Sequence, residues 1–409
     1  MKLLIINQPL NNRGDESAHK ALVRSLINQI KDINIKVLFV NGKQNSIEQF
    51  AIRDSHITYV NLAPARAYSK FSIPVLKKHL YFLWYLHPTT RKIIKLMKEA
   101  DWVVCAPGGI CMGGFQNWEH IFLLEIAKML HKKIAYYGRS FGPFPTETKS
   151  NRLFKEISIN LLKYFSFTSI RDKKSEKLAD SLNLKYTPTV DSAFLDSPKV
   201  ELPTDIKCHL STKKYIVFVP NLLIWHYKYK GFVTKENVLS FYSSLLECIF
   251  NKYPTFNIIM LPQTFNYGNY EGDDIHFFKE LKTLIHDERI IVIADCYSSD
   301  IQETIISNAE FVVGARYHSI VFAINNNVPF VALSYEHKIE GLLETLNKKD
   351  RMIDITKAFE NKENTKKTIQ LFNEKITTLQ KDKEVQIKAK KIANDCLKQF
   401  INIIQKKNG

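Results

Sequence analysis

The sequence predicts an α/β protein: two doubly wound, Rossmann-like domains facing each other across a cleft, with C-terminal helices. Three observations carry that expectation. Short runs apolar on both faces, such as KLLII at 2–6 and YIVFVPN at 215–221, alternate with amphipathic stretches of helical spacing. That is the pattern of parallel strands covered by helices on each side. The plan occurs twice, on either side of a polar segment at 196–214 that carries two prolines and suits a hinge. Finally, 409 residues exceed one ordinary core, and two domains of roughly 150–200 residues are the natural division.

The elements follow in order. KLLII is the first strand, with a polar loop and a helix from about Glu16 behind it, and IKVLFV (35–40) is the second. WVVCAPGG (102–109), KIAYYGRSFGPF (133–144) and FSFTSIRD (165–172) are further strands with polar or glycine-rich ends, separated by helices near 119–131 and 150–163. The second half repeats the scheme with YIVFVPN (215–221), FNIIML (256–261), RIIVIAD (289–295), EFVVGA (310–315) and PFVAL (329–333). The expected domains are 1–200 and 201–360. Residues 361–409, rich in lysine and without a strand signal, are expected as helices on the outside.

Composition is globular, with 45% hydrophobic and 24% charged residues, and the 58 Lys+Arg against 41 Asp+Glu leave a formal charge of +17. Such an excess attracts polyanions, anionic lipid or phosphorylated substrates, and equally suits a solvated surface. The six cysteines have no CxxC pair or metal-ligand spacing, and most lie in apolar runs, as reduced buried thiols do. No metal site is expected. The opening apolar run is too short for a signal peptide, and no stretch approaches the ~20 apolar residues of a membrane span. A cytoplasmic protein is expected, one that can touch the inner face of the cell membrane. The aromatic and basic segment 77–98 suits contact with an anionic bilayer, and equally an ordinary partly buried helix.

In open parallel sheets ligands bind beyond the carboxyl ends of the strands, so residues at those corners are the candidates. GARYH places Arg316 and His318 where a strand meets a helix, and Lys338 follows the next strand. Arginine grips phosphate or carboxylate through parallel N–H bonds, and histidine exchanges protons near neutral pH. Each also has an ordinary reading: Arg316 paired with a carboxylate, His318 bonded to a carbonyl. In SIRDKKS (169–175), Arg171 stands at a strand end and Asp172 suits a helix N-cap, with Arg171 either its partner or facing the cleft. In NNRGDESAH (11–19), Gly14 permits close backbone approach, and Asp15 is an N-cap or a carboxylate for a sugar hydroxyl. Neither GxGxxG nor GxxxxGK[ST] is present there. Gly108 and Gly109 mark a turn. The loop with Trp225, His226, Tyr227, Lys228, Tyr229 and Lys230 offers aromatic faces for a sugar or for packing, and Asp273 and Asp274 suit the start of a helix.

Taken in order, these corners resemble the polysaccharide pyruvyl transferase family. The matching pieces are N-x-G-D at Asn12–Asp15, the glycine turn, GRSFGPF at 138–144, IRDKKS, VDSAF at 190–194 and LPQT at 261–264. The most specific piece is GARYHSIVFAINNNVPFVALSYEHK. The resemblance implies a fold similar to the GT-B glycosyltransferases. It implies transfer of the enolpyruvyl group of phosphoenolpyruvate onto two hydroxyls of one sugar, forming a cyclic ketal in capsule, exopolysaccharide or cell-wall synthesis. By that likeness Arg171, Arg316 and Lys338 hold phosphoenolpyruvate and His318 is the acid; the chemistry of the residues adds Lys338, or an arginine, as an aid to phosphate departure, so Lys338 is also a catalytic candidate. Asn12, Asp15, Gly109, His226 and Gln263 are the candidates for the acceptor, a galactose-like sugar on a lipid diphosphate or a polymer. Position 139 is Arg where the family often has Gln. No cofactor beyond the donor substrate is implied. A nucleotide-sugar glycosyltransferase of the same architecture and a non-catalytic binder of anionic polymers or membranes remain alternatives. Nucleic acid is not an expected partner, since no recognition module is present.

Overall fold

The structure, a computed structural model, describes residues 1–64, 68–114, 116–211, 213–226, 229–265 and 273–406. It divides into two compact units. The first comprises Met1–Leu10, Asp15–Asp196 and Lys391–Gly409; the second comprises Asn11–Gly14 and Ser197–Lys390.

The first unit carries β1 (Lys2–Ile6), β2 (Asn34–Val40), β3 (Ile57–Leu62), β4 (Trp102–Cys105), β5 (Gly108–Met112), β6 (Lys133–Phe141), β7 (Phe167–Ile170) and β8 (Thr187–Pro188). They pair in the order β3-β2-β1-β4-β6-β7-β8, with β5 also on β6, and every pairing is parallel. The second carries β9 (Tyr215–Val219), β10 (Asn257–Met260), β11 (Ile290–Val292), β12 (Val312–Gly314), β13 (Phe330–Ser334) and β14 (Met352–Asp354). Their order is β11-β10-β9-β12-β13-β14, again all parallel. Strands such as β4, β9 and β13 are buried along their whole length. Covered on both faces, they can be apolar at every position.

Each sheet starts at an interior strand, grows to one side, and then returns to grow on the other. The reversal creates a switch point, between β1 and β4 in the first unit and between β9 and β12 in the second. Chains leaving adjacent strands there diverge and open a crevice at the carboxyl ends.

Some expectations change. β3, β5, β8 and β14 are strands the pattern did not reveal, three of them short or glycine-led. The 196–214 segment is not merely a polar hinge: the unit boundary falls at Asp196/Ser197, but Thr204–Ser211 is helical. The tail forms two helices, Lys362–Thr377 and Lys383–Gln405. The second is not confined to the outside. Phe400 is fully buried, 5.2 Å from the Tyr137 ring and 5.1 Å from the Phe167 ring, and joins the first unit's core with Cys396 and Leu397. All six cysteines are free, but only Cys105 and Cys396 are fully buried. Among the described residues no helix is long and apolar enough to cross a membrane.

Candidate functional site

In the first unit the switch point is built around a glycine turn. The helix Arg13–Gln29 follows β1, and the Asn12 side chain caps it, accepting from Gly14 N–H at 2.8 Å. Asp15 is therefore not the N-cap; it lies in the first turn. A methyl group added at Gly108 would stand 3.2 Å from Asp15 Oδ1 and 3.4 Å from Arg139 Nη1. The turn thus passes between a carboxylate and a guanidinium too closely for a larger side chain. Arg139 is fully buried on β6. It donates to Ala106 O, to Gly109 O at 3.1 Å and to Cys111 Sγ at 3.1 Å, tying the end of β4 to β5. Burial pushes the Cys105 thiol up to about 11, so this neighbour is neutral at pH 7. Asp15 is a carboxylate that also acts on Arg139.

Arg171 follows β7 and belongs to a separate corner of the same unit. Asp172 caps the helix Lys173–Ser181 by accepting from Ser175 N–H at 2.9 Å. Arg171 does not pair with it. The guanidinium instead donates to Asp191, whose other oxygen accepts from Ala193 N–H at 3.0 Å. This ion pair is closed off from water, with side chains 4% and 0% exposed.

The second unit gathers the remaining candidates at its own switch point. Arg316 follows β12 and stands at the N-cap position of the helix Tyr317–Asn325, and His318 lies in that helix's first turn. Gln263 follows β10, His226 follows β9, and Lys338 lies in the first turn of the helix His337–Thr345 behind β13. The Arg316 guanidinium donates to Asp274 Oδ1, while Asp274 Oδ2 accepts from the backbone N–H of Gln263 and of Thr264, each at 3.0 Å. One carboxylate therefore fixes an arginine and the loop after β10 together. The Trp225 ring lies 5.9 Å from Arg316 Cζ. Burial opposes the Arg316 charge, and Asp274, with Glu336 also acting, more than offsets it.

Glu336 is the second organiser. Its carboxylate stands 3.1 Å from Lys338 Nζ and 3.8 Å from His226 Nε2. Burial alone would raise its pKa, but the Lys338 ammonium, with His226 adding to it, holds it well below the usual carboxylate range. Glu336 thus holds Lys338 with His226 beside it, while Arg316 is paired with Asp274. His226, expected with the acceptor residues, sits with Lys338. His318 is 6% exposed, and its imidazole packs against the chain at Gly14, where an added Cβ would lie 1.8 Å from Nδ1. Asn11–Gly14 reach this place by backbone pairing within the unit: Arg13 N–H donates to Gln263 O and Phe265 N–H to Asn11 O, each at 3.0 Å. Gln263 Nε2 and Arg316 Nε are buried donors that lack a partner among the described residues. They are available to an acceptor-rich ligand. Tyr227 and Lys228, named above for the aromatic loop, lie outside the described residues.

Asp274, Glu336 and Asp191 were not assigned these roles from sequence. The adjacent pair Asp273–Asp274 held a usable signal, since a helix needs one capping carboxylate. Asp273 takes that place by accepting from Ile275 N–H at 2.9 Å, leaving Asp274 for other work.

Two parallel-sheet α/β units of this kind define a GT-B-like class shared by nucleotide-sugar epimerases and glycosyltransferases. The chain is similar to UDP-GlcNAc 2-epimerase from Neisseria meningitidis in complex with UDP-GlcNAc, with TM-score 0.59, 13% identity and 100% coverage of each chain. It is similar to S. aureus MnaA in complex with UDP, with TM-score 0.56, 14% identity, and 100% and 99% coverage. These likenesses concern the fold. The family itself is marked by sequence: the Polysaccharide pyruvyl transferase model matches residues 12–337, and the chain belongs to that family. It is also 22% identical over 381 residues to the amylovoran biosynthesis protein AmsJ of Erwinia amylovora, across 87% of this chain and 88% of that protein.

Proposed function

We propose that the protein transfers the enolpyruvyl group of phosphoenolpyruvate to two hydroxyls of one sugar, forming a cyclic pyruvate ketal during polysaccharide synthesis. The observation that carries this reading is the gathering of Arg316, two residues from His318, with His226 and Lys338 around the carboxylates of Asp274 and Glu336 at the switch point of one sheet. Asp274 holds one side of the Arg316 guanidinium and leaves Nε for the donor's phosphate or carboxylate. Lys338 supplies a second cation, and His318 is the acid.

The chemistry balances without a redox partner. His318 gives a proton to the methylene carbon, which becomes a methyl group, and the adjacent carbon becomes electrophilic. A sugar hydroxyl adds there, and its proton restores His318. The C–O bond to phosphate breaks, with cations stabilising the departing charge. A second hydroxyl closes the ring, and its proton leaves with the phosphate. Asp15 and Gly109, at the first unit's switch point, are the proposed acceptor contacts, with Asn12 and Gln263. Arg171 enters this reading through the family pattern, and its buried pairing with Asp191 favours a structural contribution. The proposed acceptor is a galactose-like sugar on a lipid diphosphate or a growing polymer, presented at the cytoplasmic face of the membrane.

The test is incubation with phosphoenolpyruvate and lipid-linked oligosaccharide, reading phosphate release and the mass of the glycan. Acceptor-dependent phosphate release with a pyruvyl mass gain is expected. A second reading draws on the fold shared with proteins solved with UDP or UDP-GlcNAc. Thermal stabilisation by a UDP-sugar, with no response to phosphoenolpyruvate, would replace the first reading with that one.

A further inference from the structure

The segment between the helices Tyr68–Lys77 and Pro88–Glu99 is a 3-10 turn, Tyr81–Leu86. In such a turn side chains three apart eclipse, so one row can face inward while another faces outward. Tyr81 and Trp84 form the inner row, stacked at 4.8 Å, with Trp84 fully buried and its indole N–H donating to Ser72 O at 3.3 Å. Phe82 and Tyr85 form the outer row. With Leu80 and Leu86 beside them, they stand 66%, 43%, 38% and 69% exposed in the order Phe82, Tyr85, Leu80, Leu86. The other exposed large apolar residues among those described (Val200, Phe232, Leu284, Leu371 and Ile387) are scattered in sequence. This turn is anchored from within and apolar outside.

Its surroundings are cationic. From Ser55 to Lys98 the chain has no Asp or Glu and eight Lys or Arg. The helix Pro88–Glu99 buries Thr90, Ile93, Ile94 and Met97 and exposes Arg91, Lys92, Lys95 and Lys98 on its other face. Lys98 Nζ lies 5.7 Å from the Tyr85 ring, so the basic face adjoins the aromatic one. Lys98 also lines an open groove with Lys31, His131, Lys132 and Lys133 at the amino ends of β1, β4 and β6, where Asp101, accepting from Lys2 N–H at 2.8 Å, is the acidic residue of the lining. Glu99, the first acidic residue beyond the segment, is paired with Lys36 at 2.9 Å.

We propose that Leu80, Phe82, Tyr85 and Leu86, flanked by this basic helix face, dock the first unit on an anionic phospholipid bilayer. An aromatic and aliphatic wedge enters the headgroup boundary while neighbouring cations meet lipid phosphates. A second copy of the chain would bring like charges together, and a neutral apolar partner would leave the cations unmatched. The proposal is independent of the pyruvyl-transfer reading, because its test measures no turnover.

The experiment is cosedimentation of the full chain with phosphatidylcholine vesicles, with and without phosphatidylglycerol. Binding is expected only to the anionic vesicles and should weaken with added salt. The double variant Phe82→Ser/Leu86→Ser should bind about tenfold more weakly or worse, with circular dichroism and Tm unchanged because both side chains are exposed. Lys92→Glu should weaken binding by about fivefold or more, and Phe232→Ser in the second unit should not. Parent protein that ignores anionic vesicles, or a double variant that binds as well as the parent, overturns the proposal. So does sedimentation velocity in which the double variant dissolves a dimer, with no vesicle binding by the parent.

Discussion

Arg171 and Arg316 each stand just beyond the carboxyl end of a parallel strand of their own unit and each pair with an aspartate, Asp191 downstream of the first and Asp274 upstream of the second. Their environments differ. The Arg171–Asp191 side chains are 4% and 0% exposed, those of Arg316 and Asp274 14% and 3%. Asp191 also caps a short turn, so the first pair is woven into its unit's interior. Asp274 clamps a loop, and the pair lies among His226, Glu336 and Lys338. An arginine at a strand end is therefore not diagnostic. Whether it is locked or presented depends on what the partner carboxylate also holds.

The largest expected effect separates these roles. Arg171→Ala strands the buried Asp191 charge and should destabilise the first unit by about 3–5 kcal/mol, measured by chemical unfolding. An Arg171→Met/Asp191→Leu double variant should recover much of that loss; failure to recover it would mean that Arg171 has other indispensable partners. Arg316→Lys should act the other way round. Tm should change little, while acceptor-dependent kcat/KM should fall by roughly a hundredfold or more, since the planar fork is lost and a contact to developing charge is worth about 3 kcal/mol.

Gly14→Ala comes next. The new Cβ would overlap the His318 imidazole, 1.8 Å from Nδ1, so the ring must move. Turnover should drop by about a hundredfold, because small displacements of catalytic groups are costly, with a Tm loss smaller than that of Arg171→Ala. Normal turnover in Gly14→Ala would remove His318 from the acid role.

The smallest effect concerns pH. The Glu336 pKa is depressed in the folded protein. Its stabilisation is present above the ordinary carboxylate value and disappears as pH falls through the folded value. Glu336→Gln should therefore flatten the acid limb of a Tm–pH profile below about pH 4.5, by on the order of 1 kcal/mol. An unchanged limb would show that Lys338 and His226 do not hold this carboxylate in its charged form.

Much of the fold was legible because doubly covered strands announce themselves as continuous apolar runs. All five strands expected in the second half are present, and helices near 119–131 and 150–163 appear as Trp118–Met129 and Lys149–Tyr164. Thr187–Pro188 and Met352–Asp354 escaped because two or three residues at a sheet's edge carry no pattern. The final helix misled for another reason. Its lysines suggested a solvated exterior, but the residues that matter, Cys396, Leu397 and Phe400, form one narrow buried stripe.

The chain's own pattern determined which residues stand at strand ends, because alternating apolar and amphipathic segments set where each strand stops and each helix starts. It therefore placed Arg316, His318 and Lys338 at corners. Only the tertiary structure decided which corners share a crevice and which carboxylate each cation meets. Those pairings follow from strand order, which brings Asp274 to Arg316 from 42 residues away and leaves Arg171 sealed with Asp191. Local propensity acts over a few residues, whereas charge, burial and access depend on neighbours that only the folded sheet supplies.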